Sequence, residues 1–108
     1  MRKLTAVQSR IPMDQYVVET LMADLVGHDR HPSAFLVCLH LWTAADGHLA
    51  RPVRASHRQI AVDIGIARST VETAISRLKR RHLVRVEQDS ATSVPAYTVL
   101  RPWLRGGA

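Results

Sequence analysis

The fold is decided by the stretch RQIAVDIGIARSTV, which runs from Arg58 to Val71. Its apolar residues recur at helical spacing on both sides of a single glycine, Gly65. Glycine tolerates the positive φ that a tight turn between two helices requires. Four residues earlier, the small side chain of Ala61 leaves room for the second helix to cross closely over the first. The stretch therefore predicts two short helices that meet steeply at Ala61 and Gly65.

Apolar spacing and turn residues predict the elements on either side of this helix pair. An amphipathic helix with apolar residues at every fourth position is expected from Met13 to near Gly27, where glycine is typical of a helix end. A second helix is expected over about residues 33–45, and it is apolar around nearly its whole circumference, as central helices are. The other predicted elements are a β-compatible segment at 49–55, which Pro52 restricts to a sheet edge, helices at 57–65 and about 68–82, and hairpin strands at 84–88 and 96–100.

This order of elements predicts an α+β, mostly α-helical protein in which a helical trio is backed by a small antiparallel sheet. A chain of 108 residues suits one domain with one core. Within it we expect a flexible arm at residues 1–12, N-terminal helices at 13–48, the helix pair and hairpin at 49–100, and a tail at 101–108.

The positive charge is concentrated in one third of the chain. The whole sequence has 15 Lys and Arg against 9 Asp and Glu, a net charge of +6. Nine of the basic residues lie between Arg51 and Arg85, where the only acids are Asp63 and Glu72. A local excess of this kind indicates an anionic partner for that region.

The stretch from Arg58 to Val71, with the following AISRLKRRHLV from Ala74 to Val84, resembles the DNA-binding core of bacterial-type winged helix-turn-helix transcriptional regulators. The resemblance covers about residues 50–100 and does not select a subfamily. It implies a winged helix-turn-helix fold with an extra N-terminal helix, and a recognition helix from Arg68 that enters the major groove of double-stranded DNA. The hairpin tip at residues 89–93 has no Arg or Lys, which argues against a wing inserted into the minor groove.

The expected DNA contacts follow from the helical spacing. If the apolar side chains after Arg68 face the core, small hydroxyl and basic side chains face outward, and those near the helix N-terminus reach base edges. The candidate base-reading residues are Arg68, Ser69, Thr70, Thr73 and Arg77. The candidate phosphate-binding residues are Arg54, Ser56, His57, Arg58, Lys79, Arg80 and Arg81. Glu72, beside this face, is suited to accept a hydrogen bond from a cytosine amine.

The sequence thus favours sequence-specific binding of double-stranded DNA in transcriptional regulation. A homodimer is expected because one recognition helix covers few base pairs, with the helix from Met13 to Val26 and the tail residues Trp103 and Leu104 as candidate dimer surfaces. Three alternatives stay open: a plasmid or phage replication or partition protein, a winged-helix protein–protein interaction module, and RNA binding. The alternative interpretation of the basic run from Arg77 to Arg81 is a solvent-exposed helix face without a binding role.

The sequence shows no arrangement typical of an enzyme or a metal site. No catalytic triad order, nucleotide-binding loop or paired carboxylates stand out, so we expect no enzymatic activity, cofactor or metal. His28, Asp29 and His31 lack a strong metal-ligand spacing and fit a polar loop. Cys38 lies in an apolar run and is expected in the core. Without a recognisable signal peptide or membrane span, a cytoplasmic location is the default expectation, and a small-molecule effector is left open.

Overall fold

The structure, a computed structural model, describes residues 10–46 and 48–105. Most of the predicted arm, Gly47 of the predicted turn, and the end of the tail at residues 106–108 lie outside the described residues. Within the described part of the chain, no helix is both long and apolar enough to cross a bilayer.

The α+β, mostly helical class is confirmed. An N-terminal helix with two wide-turn π-helical stretches, Val17–Leu21 and Ala23–His28, precedes three α-helices. The α-helices are α1 (Pro32–Ala44), α2 (His57–Ile64) and α3 (Arg68–Arg80). The strands are β1 (Val53–Arg54), β2 (Val84–Glu87) and β3 (Ala96–Val99), and a short 3₁₀ helix, Pro102–Arg105, follows β3.

The three strands form one antiparallel sheet in the order β1–β3–β2. Tyr97 of the central strand β3 lies opposite Val53 of β1 and Val86 of β2. The edge position predicted for the first strand is confirmed, but its length is not, because β1 has only two residues. Pro52, which precedes β1, has no N–H group to donate to a neighbouring strand.

Helix α1 is the centre of the core, and it packs against the N-terminal helix, α2, α3 and β3. Leu41 and Trp42 of α1 are almost completely buried, which confirms the central position predicted for this helix. Cys38 is also buried, and this burial raises the pKa of its thiol to about 12, so the thiol is a core group. His40 lies at the edge of the core with its Nε2 3.5 Å from the Oδ2 of Asp63.

The N-terminal helix buries the predicted side of its surface, but its geometry differs from the expected α-helix. Val17, Leu21 and Leu25 are buried. Their four-residue spacing exceeds the 3.6 residues of an α-helical turn, and wider turns keep such side chains closer to one line. The helix ends at His28, next to Gly27, as predicted.

The turn between α2 and α3 has the predicted geometry. Gly65 adopts φ +88°, and the N–H of Ile66 donates to the carbonyl of Ala61 at 3.1 Å, which closes the end of α2. At the other end of α2, the Ser56 hydroxyl accepts a hydrogen bond from the N–H of Gln59 at 3.0 Å, as expected of an N-cap. Helix α3 ends two residues earlier than predicted, because His82 adopts φ +59°.

Replacing Gly65 by alanine is expected to lower the free energy of unfolding by about 1 kcal/mol, because a residue with a Cβ is disfavoured in the left-handed region. A Cβ at this position meets no atom within 4 Å, so no steric clash adds to the loss. Gly65→Asn should cost less, since asparagine tolerates this conformation. Urea unfolding of the three proteins measures the difference, and a loss above about 3 kcal/mol for alanine would contradict the open turn.

The tail packs back onto the start of the chain. The Trp103 ring stacks on Tyr16 at 4.6 Å between centroids, and on Trp42 at 6.5 Å. Asp14 accepts hydrogen bonds from the guanidinium of Arg101 and from Trp103 Nε1 at 2.7 Å. Trp103, a candidate dimer residue in the sequence, therefore has partners within its own chain.

These contacts hold the pKa of Asp14 below its ordinary value, chiefly through the hydrogen bonds from Arg101. Because the folded-state pKa is depressed, this carboxylate stabilises the fold above the unfolded-state value of about 3.9, and the contribution is lost as the pH falls through the folded-state value. We expect Asp14→Asn to be less stable at neutral pH and to lose less stability between about pH 5 and pH 2. Urea unfolding of the wild type and the variant at several pH values across this range measures both differences in stability. Asp89→Asn, an exposed carboxylate between β2 and β3, is the control.

Candidate nucleic-acid interface

Helix α3 has one buried and one exposed face. Its buried residues are Val71, Ala74, Ile75 and Leu78. Ser69, Thr73 and Arg80 are exposed, as the helical spacing predicts. The region from Arg58 to Arg80 is thus two helices broken at a left-handed glycine, with the second presenting polar side chains outward.

The predicted base-reading residues of the first two turns are on or beside this face. Arg68 is 68% exposed, and Thr70 is partly buried at the margin. The Thr73 hydroxyl donates to the carbonyl of Ser69 at 3.1 Å, which leaves its oxygen able to accept a further hydrogen bond. Ala67 is the N-cap and makes no side-chain cap hydrogen bond, so the start of α3 lacks the usual hydroxyl or carboxylate cap.

An open groove of about 690 Å³ lies between α3, the start of α2 and the β2–β3 hairpin. It brings together predicted residues from both contact sets, although they are up to 23 positions apart in the sequence, from Ser56 to Lys79. The predicted residues that line it are Ser56, His57, Arg58, Arg68 and Lys79. Polar and basic side chains from three elements thus line the same groove.

The start of α2 forms one end of this groove. The first intrahelical hydrogen bond of α2 runs from the N–H of Ile60 to the carbonyl of Ser56 at 3.1 Å. The N–H groups of His57 and Arg58 precede it and point out of the helix end, where an anion is favoured by the helix dipole. Ser56 uses its oxygen as an acceptor in the cap, so its hydroxyl hydrogen remains available to an oxygen ligand.

Two predicted DNA contacts have carboxylate partners in the N-terminal region instead. The Arg81 guanidinium pairs with Asp24 and, at 3.4 Å, with Asp29. Arg77 Nη1 lies 4.0 Å from Asp29 Oδ2. Asp29 is 6% exposed, and its pKa is lowered by a hydrogen bond from His28 and by the charges of Arg81 and Arg77. Neither Arg77 nor Arg81 lines the groove. The same is true of three predicted base-reading residues, Ser69, Thr70 and Thr73.

The remaining predicted phosphate contacts, Arg80 and Arg54, do not line the groove. Arg80 is exposed one residue beyond Lys79, and Arg54 is exposed on the edge strand β1. In the sheet register Arg54 shares the face of Glu87, opposite the face of Tyr97 and Val86, so the structure does not bring Arg54 to the groove.

The hairpin contributes residues that the sequence did not identify. Tyr97 lines the groove, is completely buried, and has a hydroxyl without a hydrogen-bond partner among the described residues. Burial raises the pKa of this hydroxyl to about 12. Gln88 also lines the groove, and its side-chain amide donates to the carbonyl of Ser93 at 2.6 Å, which ties the loop together. No local pattern marks Tyr97, since its surroundings depend on strand pairing.

The polar loop before α1 has a structural role. His31 caps α1 by accepting a hydrogen bond from the N–H of Ala34 at 3.3 Å, and His28 is paired with Asp29 at 3.2 Å. In residues 10–46 and 48–105, no three His, Cys, Asp or Glu side chains are grouped as a metal site would need. A comparison with known proteins adds nothing to this picture, because no family model, no curated protein and no solved structure matches the chain.

Proposed function

We propose that this protein is a winged helix-turn-helix protein that binds double-stranded DNA sequence-specifically, with α3 as the recognition helix, and that it regulates transcription. The observation that carries the proposal is the groove in which α3, the start of α2 and the hairpin present basic and hydroxyl side chains together. An exposed helix with small polar residues fits the major groove of B-form DNA.

The geometry favours different roles, base reading, phosphate binding and structural support, for different candidate residues. Arg68, Ser69 and Thr73 lie near the N-terminus of α3, the part of a recognition helix that reaches base edges. We assign the phosphate contacts to Ser56, His57, Arg58 and Lys79, which line the groove, and to Arg80, which is exposed next to Lys79. Arg77 and Arg81 are assigned a supporting role, because their carboxylate partners hold the N-terminal helix against the end of α3.

We further propose that the DNA-bound form is a homodimer joined through the N-terminal helix. Val18, Met22 and Val26 recur every fourth residue on this helix and are 52%, 39% and 39% exposed. Symmetric recognition of two half-sites requires two copies of the chain. We propose that the apolar stripes of the two copies pack against each other. Trp103 is excluded from this surface because it packs on Tyr16 and Trp42.

The experiment is selection of bound fragments from a random duplex DNA pool, followed by affinity measurements with the winning sequence and with random duplex at several salt concentrations. A defined, palindromic motif and binding that weakens steeply with salt are expected. Light scattering should give twice the chain mass of 12.1 kDa. Met22→Glu should halve the measured mass. Failure of any duplex DNA to bind would contradict the proposed function, whereas binding as a monomer would contradict only the dimer.

A further inference from the structure

A single carboxylate lies in the basic groove. Among the described residues that line it, Glu72 is the only Asp or Glu, and it shares the space with His57, Arg58, Arg68 and Lys79. Its side chain is 52% exposed, so it is not there to satisfy the core. A surface that only attracted phosphates would do so better without it.

Glu72 is in contact with two of the proposed DNA-binding side chains. Its Oε2 lies 3.7 Å from Arg68 Nε and 3.8 Å from His57 Nδ1. The pair with Arg68 spans one helical turn, so both side chains project from the same edge of α3. In the protein without DNA, the carboxylate is thus paired with these two side chains, and DNA has to displace it in order to bind them.

The chemistry of the major groove limits what a carboxylate there can bind. An ionised carboxylate only accepts hydrogen bonds, and the base edges offer two donors, the N4 amine of cytosine and the N6 amine of adenine. Cytosine is the usual partner of Glu, and the guanine paired with it presents O6 and N7, which Arg binds with two hydrogen bonds. Neighbouring Glu and Arg side chains therefore match the two bases of one C·G pair or of adjacent pairs.

We propose that Glu72 determines specificity: it accepts a hydrogen bond from a cytosine amine while Arg68 binds guanine, and it weakens binding to sequences that lack this cytosine. Without the amine, the carboxylate receives no hydrogen bond from the DNA and stays paired with Arg68 and His57, which keeps both side chains from binding the DNA. With the amine, the carboxylate gains a donor and Arg68 turns to its guanine. This inference rests on the proposed function, and it adds a residue and a base to it.

The test compares fragments selected by the wild type, by Glu72→Gln and by the matched control Glu87→Gln. Glu87 is exposed on β2, one residue from Val86, so its side chain points to the sheet face opposite the groove. Both variants change the net charge equally. Circular dichroism of both variants checks that the exposed substitutions leave the fold intact.

The wild type is expected to select a motif with an invariant C·G pair. Glu72→Gln should lose the preference for cytosine at that position, accept adenine there, and bind random duplex about twofold to fivefold more tightly, because the repulsion from phosphates is removed. Glu87→Gln should keep the wild-type motif. An unchanged motif for Glu72→Gln would overturn this inference and leave the proposed function standing, whereas a wild type that binds no duplex would overturn both.

Discussion

Replacing Arg58 and Lys79 together by alanine is expected to weaken binding of random duplex DNA by at least about a hundredfold, because a hydrogen bond to a charged group contributes about 1.5–3 kcal/mol and two are lost. The two side chains are exposed and line the same groove from α2 and α3. The slope of log affinity against log salt should also become shallower by about 0.9 for each phosphate contact removed. Titrations by fluorescence anisotropy between about 50 and 200 mM salt measure both quantities.

The matched control variant removes two positive charges from outside the groove. Arg10 and Arg85 are exposed, and neither lines the groove. Their double alanine variant should show a small change in affinity at low salt and an unchanged salt slope, since charges far from the contact act only through a screened field. Equal effects of the two double variants would mean that net charge, and not the groove, governs binding.

Replacing Trp42 by alanine is expected to lower the free energy of unfolding by about 3–5 kcal/mol, a large part of the stability of a domain of this size. Trp42 is 1% exposed, and its indole N–H donates to the carbonyl of Pro12 at 2.8 Å. The ring also lies beside Arg101 at 5.7 Å and Trp103. The substitution therefore leaves a cavity and detaches both ends of the described chain from α1. Urea unfolding followed by circular dichroism measures the loss.

Two further variants show whether the loss comes from the cavity. Trp42→Phe keeps most of the buried volume and removes the hydrogen bond to Pro12, so an intermediate loss is expected. Leu104→Ala changes a side chain that is 60% exposed in the adjoining 3₁₀ helix, and it should have little effect. A Trp42→Ala protein within about 1 kcal/mol of the wild type would show that the cluster does not hold the chain ends in place.

Much of the fold follows from short-range patterns. Ser56 and Gly65 fix the ends of α2 because capping and positive φ depend on residues within one turn. The exposed face of α3 follows from spacing alone, since a helix repeats its faces every few residues. The predicted bounds of α2, α3, β2 and β3 are accordingly close to those observed.

Interactions between residues far apart in the sequence give the predicted DNA-binding residues different surroundings. Arg81 and Arg80 are adjacent and chemically alike, yet Arg81 pairs with Asp24, which is 57 positions away. Nothing near Arg81 in the sequence distinguishes it from Arg80, so the different surroundings appear only when the N-terminal helix packs against α3. The burial of Tyr97 in the wall of the groove depends in the same way on its pairing with Val53 and Val86.

The sequence by itself determined the helix pair around Gly65, the outward polar face of α3 and the local concentration of positive charge, because each depends on residues within a few turns of one another. Only the tertiary structure decided which arginines face the groove and which bind carboxylates, how Glu72 comes to share the groove with His57, and why Trp103 packs on Tyr16 and Trp42. The physical reason is the distance along the sequence over which each kind of interaction acts. Capping and helical periodicity act over a few residues, whereas ion pairs and stacking join whatever side chains the packing of the core brings within a few ångströms.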